Sequence, residues 1–239
     1  MKVAYISTPH FADCDIPLVG ELQKKSDVFY FLKVSDSTKR LTLIKIDSLN
    51  KRGGVYPASD FPEIAYLSAD IDLSKTYIVN LPGKHDWSLC NLLAIFRMVC
   101  FILHLNVNIV HLTWPPRYGE FFTYLLRKRT VITMHDPLPH SSEDAWLNRF
   151  HRNVCFRLLD TFILLNDIQK KSFIEAYHMQ HKRVALSRLS AYTNLRNVQP
   201  QYPDINNYVL FFGGISSHKG VEYLCEAMDE VCKKHPDVK

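Results

Sequence analysis

Short runs dominated by apolar residues recur along the chain, at residues 3–7, 28–32, 77–80, 108–112, 130–134 and 161–165, separated by polar or turn-forming positions. Runs of this length without alternation suit strands covered on both faces, as in a parallel sheet flanked by helices. Between them lie longer stretches with helical character: residues 18–25, 89–105, 118–126, 144–159 and 167–178. Strand and helix in alternation predict an α/β fold with a doubly wound, Rossmann-like parallel sheet. Residues 35–70 are the least regular. They hold one further run, 41–46, that reads as a strand, and the turn-rich Lys51-Arg52-Gly53-Gly54.

The pattern breaks at residues 197–206, rich in Asn, Gln, Pro and Asp and poor in bulky apolar residues, as expected of a linker. It then restarts. Tyr208-Val209-Leu210-Phe211-Phe212 reads as a strand, residues 213–219 as a polar turn and residues 220–233 as a helix. The expected organisation is a Rossmann-like domain over 1–196, a linker, and the start of a second Rossmann-like domain over 207–239. One strand and one helix cannot bury their own apolar faces, so the second domain is expected to be incomplete.

Composition adds limits rather than a function. Of 239 residues, 47% are hydrophobic and 22% charged, an ordinary globular balance. The formal charge of +5 is too diffuse for a nucleic-acid surface and suits an anionic small substrate or an acidic membrane. The tightest basic clusters, Arg127-Lys128-Arg129 and His181-Lys182-Arg183, are expected at solvated helix ends. Six scattered cysteines show no ligand-like spacing, and the N-terminus opens directly as a strand, so a reducing cytoplasm is expected.

The segment Phe211-Phe212-Gly213-Gly214-Ile215-Ser216-Ser217-His218-Lys219-Gly220 carries the clearest chemistry. A strand runs into glycines, then hydroxyl residues, then a lysine at a helix mouth. Amides unpaired at a helix N-terminus, the helix dipole and an added cation together favour a phosphate. A plain strand–turn–helix, with Ser216 or Ser217 as N-cap and Lys219 exposed, uses the same residues. The segment resembles the family-4 type of retaining glycosyltransferase, whose two facing Rossmann-like domains form the GT-B arrangement. Phe212-Gly213 and Lys219-Gly220, followed by Val221-Glu222-Tyr223-Leu224, carry that resemblance. It implies that Lys219, with Gly213, Gly214 and Ser217, holds the donor diphosphate. The family usually has an arginine where this chain has Gly214, and a missing cation weakens leaving-group stabilisation.

In Val131-Ile132-Thr133-Met134-His135-Asp136-Pro137 an apolar strand ends in His-Asp, at the edge where open α/β sheets bind ligands. The resemblance implies that His135 touches the transferred sugar. The loop after the first strand, with His10, Asp13 and Asp15, is expected on the acceptor side, although the paired glycines common in the family are absent there. Asp13-Cys14-Asp15 is better suited to capping a helix before Pro17 than to holding a metal, and no other cluster has metal spacing. No cofactor or metal is expected.

Residues 88–105 are almost wholly apolar, interrupted by Asn91, Arg97 and His104. They read either as a core helix or as one that docks peripherally on a membrane to reach a lipid-linked acceptor. The function implied is transfer of a sugar from a nucleotide-diphosphate donor to a saccharide or lipid-linked acceptor with retention. The competing reading is a catalytically incompetent fragment or acceptor-binding module. The absence of GxGxxG and GxSxG spacing disfavours a dehydrogenase and a serine hydrolase.

Overall fold

The computed structural model describes residues 1–47, 49, 52–138, 146–190, 207–213, 215 and 219–238. Among these, eight strands form one sheet: β1 (Lys2–Ser7), β2 (Asp27–Ser35), β3 (Gly54–Pro57), β4 (Thr76–Leu81), β5 (Ile109–Leu112), β6 (Thr130–Met134), β7 (Thr161–Leu164) and β8 (Arg183–Leu186). Their order is β3-β4-β2-β1-β5-β6-β7-β8. Neighbours are parallel except β3 and β4. The chain therefore winds outward from β1 on one side, then returns to β5 and winds outward on the other. The direction of winding reverses between β1 and β5.

Successive residues of β1 feed opposite cores, as period-2 side-chain alternation requires. Ala4 and Ile6 join Phe31, Val110, Ile132 and Phe162 in one buried cluster, which also takes in Ile95, Val99 and Ile102 of α2 (Leu89–Leu105). Val3 and Tyr5 join Tyr30, Leu32 and Ile78 in the other, against Ile16 and Val19 of α1 (Ala12–Gln23). Cys155 and Phe156 of α3 (Trp146–Leu158) and Phe173 of α4 (Ile168–Ala176) complete the first cluster. The doubly wound α/β reading of the sequence holds.

Four local expectations need correction. Residues 41–46 form no strand. Both edges of β2 are already taken, by β1 and β4, and Ile44 and Ile46 are instead buried in the α1-side core. Residues 118–126 are not an α-helix but part of a run of 3-10 turns, Tyr118–Arg129, with non-helical backbone at Glu120. Glu120 turns its carboxylate onto Lys33 instead. The first helix begins at Ala12 and runs through Pro17, which removes one ladder bond without ending it. Residues 208–212 are not a strand: strands need a ladder partner, and among the described residues none pairs with them.

The basic cluster at 181–183 leads into β8, which Arg183 opens, rather than ending its own helix. Lys182 nevertheless reaches the C-terminal end of α3, donating to the carbonyls of Arg157 and Leu159 at 3.1 and 2.9 Å. A cation there satisfies carbonyls that have no partner within the helix.

The described residues fall into two compact units, one comprising 1–138 and 149–190, the other 146–148, 207–213, 215 and 219–238. The smaller unit contains α5 (Val221–Lys234), none of whose residues is buried.

Candidate functional site

The carboxyl ends of β1, β5 and β6 lie side by side where the winding reverses, the crevice in which open α/β sheets bind ligands. Three loops leave this edge, beginning at Thr8, Thr113 and His135. Their aromatic residues meet. The Phe11 ring stacks on the His135 imidazole with centroids 4.1 Å apart and planes 14° from parallel. Trp114 stacks on Phe11 at 5.7 Å. His135 Nε2 is buried and has no hydrogen-bond partner among the described residues. Burial holds its pKa below the ordinary histidine value, against the opposing pull of Asp136 and Asp13.

A polar layer lies beneath. Asp15, on the first turn of α1, is 3% exposed and points back into the sheet. Its Oδ1 accepts from the Tyr5 hydroxyl at 2.8 Å, and its Oδ2 from Ser7 Oγ. Burial raises its pKa to about 6, because desolvation outweighs the hydrogen bonds from Ser7 and Tyr5. In register with Tyr5, His111 packs its ring at 4.5 Å from the phenol, and its Nε2 is 2.7 Å from Thr133 Oγ1 on β6. Burial lowers the His111 pKa to about 4, so this ring is neutral at pH 7.

The backbone bearing His135 is held from α3. Arg152, only 6% exposed, donates through Nη2 to the carbonyls of Asp136 and Pro137 at 2.7 and 2.6 Å. Its guanidinium carbon also lies 5.8 Å from the Phe156 ring centroid. A buried guanidinium gripping two carbonyls in sequence fixes the direction of the loop as it leaves β6.

The residues expected from the sequence are distributed as follows. His135 and Asp13 lie at the strand-end crevice; His10 is exposed, with its pKa lowered by partial burial and by Arg117. Asp15 is not a loop residue facing a ligand. Tyr5 and Ser7 hold it inside the sheet, because α1 begins three residues earlier than its position. Neither aspartate is the N-cap, a place taken by Phe11 without a side-chain bond. In the smaller unit Gly213 has φ +113, a conformation that favours glycine. Lys219 directly precedes Gly220, which is the N-cap of α5 at φ 64 in place of the serine considered from sequence. Gly214 and Ser217 lie outside the described residues.

The sequence reading missed Phe11, Tyr5, Ser7, His111, Thr113, Trp114, Thr133 and Arg152. Ser7, Thr113 and Thr133 shared a detectable signal: hydroxyl residues at or next to the carboxyl ends of apolar runs. Phe11 and Arg152 gave none, since an aromatic in a loop and an arginine on a helix are ordinary. Among the described residues no group of three or more His, Cys, Asp or Glu could hold a metal ion. Among the described residues no cysteine forms a disulfide.

No protein-family model matches the sequence, and no curated protein matches it. The fold is similar to that of a UDP-N-acetylglucosamine 2-epimerase from Rickettsia bellii, with a TM-score of 0.50 and 10% identity over 79% of this chain and 45% of that one. UDP-GlcNAc 2-epimerase from Neisseria meningitidis bound to UDP-GlcNAc aligns with a TM-score of 0.49, 11% identity, and 78% and 46% of the two chains. A glycosyltransferase from Rickettsia africae ESF-5 aligns with a TM-score of 0.46, 13% identity, and 95% and 49%. The chain thus spans just under half the length of each. At such identities the likeness is one of fold: a Rossmann-like α/β sheet of the GT-B type.

Proposed function

We propose that this chain belongs to a nucleotide-sugar glycosyltransferase that works with retention at the anomeric carbon. The observation that carries the reading is the unpartnered, buried His135 Nε2 at the crevice where the sheet reverses. A neutral imidazole there can donate to or accept from a sugar hydroxyl. The R. bellii protein of similar fold is named for a nucleotide-sugar substrate, which is consistent with this chemistry. In this reading the larger unit binds the acceptor, a saccharide or lipid-linked sugar, and His135 contacts the transferred sugar. Lys219, with Gly213, Gly214 and Ser217, holds the donor diphosphate. The residues on the described crevice use no metal for this.

The second reading is acceptor binding without transfer. It is favoured by the smaller unit, where Leu210, Phe212 and Tyr223 are 65%, 84% and 70% exposed and α5 buries nothing. Among the described residues of this unit, one helix and one extended segment in that condition do not enclose a nucleotide.

Isothermal titration of the chain with UDP-, GDP- and ADP-glucose separates the two. Binding of one of them, weakened at least about tenfold by Lys219→Ala, supports the transferase reading. No heat with any of the three, with binding on a glycan array, leaves acceptor binding alone. Silence in both assays removes both readings.

A peripheral membrane contact is part of the proposal. Leu89, Leu93, Phe96 and Leu103 of α2 are exposed, beside exposed Phe121 and Leu125. Arg97 and His104 are interleaved on the same face, and α2 carries no carboxylate. An apolar face that carries the cation Arg97 and no acid of α2 complements an anionic bilayer. No described helix is long and apolar enough to cross one. Flotation with phosphatidylserine vesicles, lost in Leu93→Glu/Phe96→Glu, is the expected result; equal flotation of both proteins or of neither removes the contact.

A further inference from the structure

We infer that Phe11 is the positioning residue of His135, setting the orientation of the imidazole by ring stacking in place of the usual hydrogen bond. The inference rests on the reading of His135 as the ligand-facing group of the crevice. A functional histidine is ordinarily aimed by a carboxylate or carbonyl that bonds one ring nitrogen and so fixes both the tautomer and the ring plane. His135 has no such bond among the described residues, and its Nε2 is buried without a partner. Arg152 bonds the main chain of the following two residues.

Among the described residues the one directional contact on the imidazole is Phe11, at 4.1 Å and 14° from parallel. Stacked rings resist rotation of either plane, because turning the imidazole about its ring bond drives its edge into the face of the phenyl group. Phe11 is itself held. Trp114 stacks on it, the Phe11 amide donates to the Thr8 carbonyl at 3.0 Å, and α1 starts at the next residue. The ring at the helix N-cap thus transmits the position of α1 to the histidine at the end of β6, across 124 residues of sequence. The stack covers one face of the imidazole and occupies neither of its ring nitrogens. It also removes water from that face, which favours the neutral ring.

The charged and titratable groups near His135 are Asp13 on α1, Asp136 on its own loop and His111 on β5. The first two raise its pKa, so any fall reflects burial.

The test is nuclear magnetic resonance of the histidine-labelled 239-residue chain, with His135 assigned by His135→Gln. Four proteins are compared: the parent, Phe11→Tyr, Phe11→Leu and Phe11→Ala, each checked for retained amide dispersion. The expected result has three parts. Parent and Phe11→Tyr show ring-current displacement of the His135 carbon-bound protons and a titration midpoint below the ordinary value. Phe11→Leu, which still excludes water, keeps the low midpoint but loses the displacement and the fixed ring geometry. Phe11→Ala loses both, its midpoint moving up towards the unperturbed histidine. Unchanged His135 signals and midpoint in both Phe11→Leu and Phe11→Ala overturn the inference. UDP-glucose is added to the parent as a separate arm. If it leaves His135 unmoved while the Phe11 dependence holds, the ligand-facing reading falls and the positioning stands.

Discussion

Tyr5, on the central strand, donates its hydroxyl to Asp15 Oδ1 at 2.8 Å, so that a carboxyl from the first turn of α1 is locked against the sheet beneath the strand-end crevice. The bond ties α1 to β1, and with them the Thr8–Phe11 loop that runs between.

The folded-state pKa of Asp15, about 6, stands above the unfolded value of about 3.9. Between those values the folded chain binds more protons than the unfolded one, so this group makes stability fall as pH rises from about 4 to about 6, by about 3 kcal/mol in all. Asp15→Asn removes that slope. An asparagine can accept from Tyr5 and donate to Ser7, whose own hydroxyl then donates to the Thr8 carbonyl 3.2 Å away. Urea midpoints from pH 4 to 7.5 should show the variant gaining on the parent as pH rises. A constant difference across the range refutes the assignment. His111 works in the opposite sense: its lowered pKa makes acidification below the unfolded histidine value destabilising, and His111→Gln should blunt that loss.

Lys33 Nζ lies 2.7 and 2.8 Å from the two carboxylate oxygens of Glu120, with both side chains nearly buried. Removing either partner alone leaves an uncompensated charge. Lys33→Met or Glu120→Leu should each cost about 3–5 kcal/mol, whereas the double change recovers most of the loss. Guanidinium unfolding of the three variants forms the cycle. Additive losses would mean that the pair itself is not what breaks.

Gly20 sits inside α1, where alanine would ordinarily add up to about 1 kcal/mol of helix stability. A Cβ at this position would lie 2.0 Å from the Asp70 carbonyl oxygen. Gly20→Ala should therefore lose about 2 kcal/mol through overpacking, and the sign of the change in thermal midpoint is the readout. A stabilised variant would show that the 62–69 segment and its following turn yield easily.

Arg152→Lys keeps the charge and loses the planar guanidinium whose Nη2 donates to both the Asp136 and Pro137 carbonyls. Loss of one charge-assisted bond at about 2 kcal/mol should speed hydrogen exchange in residues 135–138 by roughly thirtyfold, with little change elsewhere. Unchanged protection there would assign the loop's order to some other contact.

Six of the eight strands were legible as apolar-rich runs, because burial on both faces of a parallel sheet keeps most positions of a strand apolar. The others differ in setting. β3 is an antiparallel edge strand, and β8 is an edge strand whose residues are largely exposed, so neither needs such a run. Residues 41–46 and 208–212 show the converse: apolar content records a tendency to be buried or paired, and strand formation waits on a free ladder position.

His135 was recognisable because a polar residue closing an apolar strand announces the carboxyl edge of the sheet. Its neighbours were not, for a physical reason. Hydrophobic burial is non-directional and is written locally, in the composition of each segment. Which side chains meet at the crevice depends on strand order and register, and these arise only when distant segments pair. The sequence by itself determined the layers, the parallel sheet and the histidine at a strand end. The tertiary structure alone decided that Phe11 stacks on that histidine, that Arg152 holds its loop and that Asp15 turns inward, since each of these joins groups that the chain keeps apart until the sheet is assembled.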